Sequence, residues 1–247
     1  PPHVRDGHSM ALDKGRLPTK EYSNVMAWRY SNYDTPFWVR ANTRAGRWNA
    51  AREDAVQYLT FDPDAAWAEL IRAENLRSER DVEYVRMPIW VARVDEKNLV
   101  DYSTFDQAEA AGFPPDALID DDWGRCQREG TRLREGGYAG VVCPSAALPG
   151  ATNVTLFGAR IVWSWTRPPA LPSAISATVA AVGSPPAGVV DRVRRYGDEH
   201  AGYAEFTRVR AVSSNRGARE RRRDASCADR GANAPWRRHG PRARRAR

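Results

Sequence analysis

Residues 25–165 predict an α+β fold, small mixed sheets with flanking helices. Short strand-like segments alternate there with single helices, which suits α+β packing better than a doubly wound sheet. The apolar spacing switches between a period of two and a helical period along the same stretch. About 140 residues is also enough chain to enclose an apolar core. After Trp165 the composition changes to Pro, Ala, Ser and Gly, so the domain is expected to end there.

In chain order, residues 1–24 are polar without sustained periodicity and read as a flexible leader. Residues 55–60 set Val56, Tyr58 and Thr60 against Ala55, Gln57 and Leu59, a strand pattern. Asp62 is a good helix N-cap and Pro63 suits the first helical position, which predicts a helix to about Arg77. Residues 84–94 form a strand candidate, with Pro88 placing it at an edge or a bulge. Residues 123–134 read as a helix stopped by Gly136-Gly137, and residues 138–143 and 154–163 as strands. Residues 166–213 read as a Pro/Ala-rich linker in which 191–212 could form an amphipathic helix, weakened by Gly197 and Gly202. Residues 214–247 have almost nothing to bury and read as a disordered Arg-rich tail.

The net charge of +7 is unevenly placed. From Ser214 onward there are 12 Arg, 3 acidic residues and no Lys, so the rest of the chain carries a balance of −2. A nucleic-acid-binding domain keeps its basic surface in the folded part, so nucleic acid is expected as a partner only through the tail. That tail has a single aromatic, Trp236, and lacks the stacking residues of single-strand binders. Cys126, Cys143 and Cys227 are odd in number and lack CxxC spacing, which points to free thiols and a cytoplasmic setting. His3, His8, His200 and His239 lie near the chain ends in no ligand spacing, so no metal is expected. No run reaches the roughly 18–20 apolar residues of a membrane span.

Four stretches carry chemistry: Trp28-Arg29-Tyr30; Ala45-Gly46-Arg47-Trp48-Asn49; Ala55 to Thr60 leading into Trp67-Ala68-Glu69-Leu70; and Val142-Cys143-Pro144-Ser145-Ala146, followed by Pro149-Gly150 and Asn153. In that order they resemble the RES domain, the NAD-degrading toxin family of RES–Xre type toxin–antitoxin systems. The family shows an early Arg, a Gly-Gly-Arg-Trp-Asn stretch, a strand ending near Tyr, a helix with a Glu, and a later Pro-Ser stretch. One departure is Ala45, which stands where the family has its first Gly.

The resemblance implies an ADP-ribosyltransferase-like fold with NAD as substrate and no resident cofactor. It also implies a helix-turn-helix antitoxin as partner; it leaves a homo-oligomer open, and it leaves open whether water or phosphate is the acceptor. Breaking the nicotinamide–ribose bond releases a neutral leaving group from a cation-like ribosyl centre. A nearby carboxylate therefore acts by electrostatic stabilisation and by orienting a hydroxyl or the nucleophile. An arginine fork suits the pyrophosphate, and an aromatic suits the nicotinamide ring.

Glu69 is the carboxylate expected to be catalytic, because it falls on a small-residue helix face near Ala65 and Ala73 while Glu74 points elsewhere. By position alone it reads as a partly buried partner of Arg72 or Arg47, and the resemblance reverses that reading. Arg47 is the second catalytic candidate, and Arg29 and Arg47 are the phosphate candidates. Tyr58 is either core or a stacking surface for the substrate. Ser145 is expected to bind or position NAD: no Gly-x-Ser-x-Gly elbow surrounds it and no histidine lies in the domain to activate it. Asn153 either contacts NAD or caps a turn. Two alternatives stand beside this reading: an ADP-ribosyltransferase that modifies a macromolecule, and an inert RES-like binding module.

Overall fold

The computed structural model describes residues 16–31, 36–76, 78–163 and 174–196. The first strand, β1 (Thr19–Tyr30), is followed by β2 (Val56–Thr60), helix α1 (Pro63–Ala73), the short α2 (Glu79–Glu83) and β3 (Met87–Asp101). Then come α3 (Phe105–Ala110), a 3-10 turn at Pro115–Leu118, α4 (Gly124–Glu135), β4 (Gly140–Pro144), β5 (Thr152–Phe157), β6 (Ile161–Trp163) and β7 (Ala174–Gly183). Residues 187–196 form a last helix, α5.

The strands run in the order β1-β2-β5-β4-β3-β7-β6, and β3 also pairs with β1. The extra pairing closes β1, β2, β5, β4 and β3 into a ring. Pairing is mixed: β3–β4 and β6–β7 are parallel and the rest antiparallel. At 15 residues β3 is long enough to serve β7 with its first half and β4 with its end. Ala27, Leu59, Ala92, Val94, Leu99, Val142, Val154 and Leu156 pack together on the face of these strands turned away from α1. A second buried cluster lies between the sheet and α1, and a third joins Trp48, Tyr102, Phe113 and Leu133 beneath α4.

The predicted helix start is seen: Asp62 caps α1 by accepting from the Asp64 amide at 2.8 Å, with Pro63 in the first turn. The helix ends at Ala73 rather than near Arg77, because Asn75 adopts a left-handed φ of 52° and the Leu76 amide turns back to Ile71. The strand expected over 84–94 starts later and runs further, with a bulge between Ile89 and Trp90 just after Pro88. The strand expected over 154–163 is two strands, broken where Gly158 takes a φ of 91°.

Two expectations need correction. Residues 19–24 belong to β1 rather than to a leader; shifts of register beside Tyr22, and Asn24 at a φ of 57°, erase the alternation that would reveal a strand. The linker expected after Trp165 contains β7, whose Ile175, Ser176 and Ala177 are buried against β3. Short side chains suit that close strand packing, and the same composition reads as linker. The expected helix over 191–212 corresponds to 187–196, and its remainder, residues 1–15 of the leader and the Arg-rich tail lie outside the described residues. Cys126 and Cys143 are buried and free. Among the described residues no helix is long and apolar enough to cross a membrane.

Gly140 marks the tightest strand approach: a Cβ there would collide with the Thr155 carbonyl and lie 2.8 Å from Leu99 Cδ2. Gly140→Ala is expected to cost about 1–3 kcal/mol, the usual range for overpacking. Urea unfolding measures it, and an unchanged midpoint would contradict the packing described.

Candidate active site

Three elements converge on one carboxylate oxygen. Glu69 projects from the second turn of α1, whose neighbouring Ala65, Ala66 and Ala68 are buried and let the helix lie close to the sheet. Ser145 follows the end of β4 and donates from Oγ to Glu69 Oε1 at 2.8 Å. Asn153, near the start of β5, donates from Nδ2 to the same oxygen at 2.7 Å. Ser145 Oγ in turn accepts from the amides of Ala147 and Leu148, both at 3.2 Å, so the serine is locked by its own turn. A hydroxyl that donates to a carboxylate while accepting two amides is a positioning group, not an activated nucleophile.

Glu69 pairs with neither arginine that position alone suggested. Arg72, three residues further along α1, donates to the carbonyl oxygens of Ala146 and Ile119 and bridges Asp121 at 2.6 Å. It thereby ties the Ser145 turn and the 119–121 loop to the helix that carries Glu69. Among the described residues Glu69 enters no ion pair, and its Oε2 accepts no hydrogen bond.

Arg47 sits on the turn that precedes β2. The turn is closed by the Gly46 amide donating to the Asn49 carbonyl at 3.0 Å. Tyr58 organises it from β2: its hydroxyl donates to Asn49 Oδ1 at 2.7 Å and accepts from the Trp48 amide at 2.9 Å. Gly46 has no room for a Cβ, which would meet Tyr58 and Asn49. Ala45 is exposed and its φ is not positive, so the family's first Gly can be replaced there without strain. Arg134 and Gln127 of α4 hold the turn from behind by donating to the carbonyls of Trp48 and Gly46. Arg47 Nη1 donates to Ala117 and Asp120 carbonyls at 3.1 and 2.8 Å, fixing one arm of the guanidinium. Cys143 lies in the electrostatic reach of both Arg47 and Glu69, and burial pushes its thiol up to about 12. Among the described residues no group of His, Cys, Asp or Glu is arranged to hold a metal ion.

Strand alternation separates the residues of the Trp28-Arg29-Tyr30 stretch. Trp28 pairs with Thr60, and Thr60 with Asn153, so Trp28 and Tyr30 share the face that carries Asn153. Arg29 points to the other face, where its guanidinium lies 5.1 Å from the Phe37 ring centre. Tyr30 is the functional candidate that the sequence left without a role. Burial, and then the carboxylates of Glu69 and Glu74, raise its phenol to about 12, so it stays a neutral donor beside Glu69. Only the knowledge that residues 19–30 form a strand would have shown that Tyr30, not Arg29, faces the carboxylate. The structure therefore brings Glu69, Ser145 and Asn153 together with Tyr30 beside them. It places Arg47 on the adjoining turn, Tyr58 on β2 bonded to that turn, and Arg29 on the other face of β1.

Tyr58→Phe removes the two hydrogen bonds that its hydroxyl makes to the turn and leaves the Trp48 amide and Asn49 Oδ1 without them. The expected cost is about 1–3 kcal/mol, measured by chemical unfolding; no loss would mean that the turn does not depend on this hydroxyl.

The family model of the RES domain matches residues 26–170. No curated protein matches the chain. Among solved structures, the chain is similar to one in the crystal structure of the M. tuberculosis MbcT-MbcA toxin-antitoxin complex. That match has 22% sequence identity and a TM-score of 0.54, and covers 72% of this chain and 92% of the other. Such a likeness supports the mixed fold, and the family model spans more than half of the chain. The chain belongs to the RES domain family.

Proposed function

We propose that this chain is the toxin of a toxin–antitoxin pair and that it degrades NAD by breaking the nicotinamide–ribose bond. The observation that carries the reading is the carboxylate of Glu69, gripped at Oε1 by Ser145 and Asn153 with Oε2 unbonded among the described residues. A carboxylate held this way cannot turn aside, and it presents fixed negative charge to a ribosyl centre as that centre becomes cation-like. No general acid is needed, because nicotinamide leaves as a neutral base. Tyr30 supplies a donor beside the carboxylate for a ribose hydroxyl or the carboxamide. Arg47, fixed through Nη1 alone in its bonds to oxygen, keeps the rest of its fork for a phosphate. Ser145 and Asn153 serve the substrate through Glu69, and the face of Tyr58 lines the adjoining turn.

The acceptor is water or inorganic phosphate, and both require the same stabilised ribosyl centre. A cognate protein antitoxin, with a helix-turn-helix DNA-binding part, holds the enzyme inactive by filling the cleft with one of its segments. The similar fold solved as a toxin–antitoxin complex supports such a partner.

The test is nicotinamide release from NAD by the purified chain, with and without phosphate. Glu69→Gln keeps an acceptor for Ser145 and Asn153 while removing the charge, and is expected to lower turnover by about 10²–10³ with no change in thermal midpoint. Wild-type activity at background, or a fully active Glu69→Gln, overturns the proposal. Label from NAD that remains on a macromolecule would instead identify a transferase.

A further inference from the structure

Helix α5 carries three arginines, Arg192, Arg194 and Arg195, against one acidic residue, Asp191. It lies beyond the residues that the RES family model matches. Its Val189, Val190 and Val193 pack into the buried cluster that holds Ala65 and Ala66 of α1 with Ala147 and Leu148 of the Ser145 turn. Arg192, Arg195 and Tyr196 stand at helical spacings of three and four, so they share one stripe of the helix. Where that stripe meets Leu148 and Pro149, a cavity of about 200 Å³ opens at the surface.

The lining has two parts of different chemistry. Leu148 and Pro149 give an apolar wall, to which Tyr196 adds an aromatic ring. A dry apolar cavity of about 150 Å³ admits benzene, so this space seats one aromatic ring and little more. The other part is cationic. Arg192 is anchored by Asp64 of α1 and by the Gly188 carbonyl, which fixes its guanidinium at the cavity. Arg195 makes no ion pair or hydrogen bond among the described residues, so its whole fork is available. Burial raises the pKa of the Tyr196 phenol, which therefore stays a neutral donor. Among the described residues that line the cavity none is acidic. A cation would be repelled, a neutral ring would make no use of Arg195, and a bare anion would leave the apolar wall wet. A ring that carries an anion meets both parts. The three terminal oxygens of a phosphate monoester suit the donors of two guanidinium groups better than the two oxygens of a carboxylate.

We propose that this cavity binds a small phosphate monoester borne on a single aromatic ring, with the ring against Leu148, Pro149 and Tyr196 and the phosphate on Arg195 and Arg192. The site is separate from the one at Glu69, although the two share a turn. The Leu148 amide donates to Ser145 Oγ, and that hydroxyl donates to Glu69, while Leu148 also lines the cavity. Arg72, which donates to the Ala146 carbonyl of the same turn, acts electrostatically on Tyr196. A ligand in the cavity therefore pins α5 to the turn that positions the carboxylate. The assignment does not depend on the NAD reading.

The experiment is thermal unfolding of the full chain at matched ionic strength in chloride, with phenyl phosphate, inorganic phosphate or phenol added. Phenyl phosphate at ten times its half-saturating concentration is expected to raise the midpoint by about 4 °C. Inorganic phosphate, which has no ring, is expected to need about tenfold more, and phenol, which has no charge, to give no shift. Arg195→Gln is expected to raise the half-saturating concentration of phenyl phosphate about tenfold. Its midpoint in chloride alone should match wild type, because that side chain holds no other described residue. Arg47→Gln, in the site at Glu69, is expected to keep the wild-type response. The proposal is overturned if phenyl phosphate leaves the wild-type midpoint unmoved, or if inorganic phosphate or phenol acts at the same concentration. It is also overturned if Arg195→Gln responds as wild type does, or if the response is lost in Arg47→Gln, which would place the anion at the Glu69 site. Phenyl phosphate binding without nicotinamide release would keep this site and reject the NAD reading, and release without binding would do the opposite.

Discussion

One oxygen atom, Glu69 Oε1, joins the helix, the strand and the turn that make the candidate site. Its bonds to Ser145 and Asn153 bring α1, the end of β4 and the start of β5 to a common point. An ionised carboxylate that accepts two hydrogen bonds tolerates partial burial, whereas an unpaired one would not. The bonds also decide what the serine can do, because its hydroxyl is spent on the carboxylate and on two amides of its own turn. Arg72 extends the arrangement outward by linking the same helix to the carbonyl beside Ser145 and to the 119–121 loop.

The second constraint is steric. The 46–49 turn reaches the site only because Gly46 leaves space for the Tyr58 hydroxyl and Gly130 lets α4 touch the Trp48 backbone, where a Cβ would collide. With Arg134 and Gln127 also bound to this turn, Arg47 is delivered at a fixed angle rather than on a mobile loop. Motif residues that read as substrate contacts thus divide into two kinds. Glu69 and Arg47 carry the charges, and Gly46, Asn49 and Tyr58 hold the backbone of the turn that carries Arg47.

Much of this was legible in the sequence. The cap at Asp62 and Pro63 located α1, the helical spacing chose Glu69 over Glu74, and the missing histidine argued against a serine nucleophile. The rest needed long-range pairing. β1 is hidden by a bulge at Asn24 and by polar residues, so the opposite facing of Arg29 and Tyr30 could not be read. β7 is hidden by alanines and serines that acquire meaning only against β3. The partners of Arg47 and Arg72 are backbone carbonyls of the 117–121 loop and the Ser145 turn, and no side-chain pattern marks a carbonyl. The even temper of the body's charge, once the Arg-rich tail is set apart, agrees with a site built from a few placed ions rather than from a basic surface.

The most direct measurement of the central claim is a crystal structure of the Glu69→Gln chain soaked with intact NAD. The nicotinamide ribose is expected against the residue 69 side chain, with C1′ in contact with its amide oxygen and Ser145 and Asn153 still bonded to that oxygen. NAD bound with its glycosidic bond elsewhere, or residue 69 released from Ser145 and Asn153 with no ribose beside it, would contradict it.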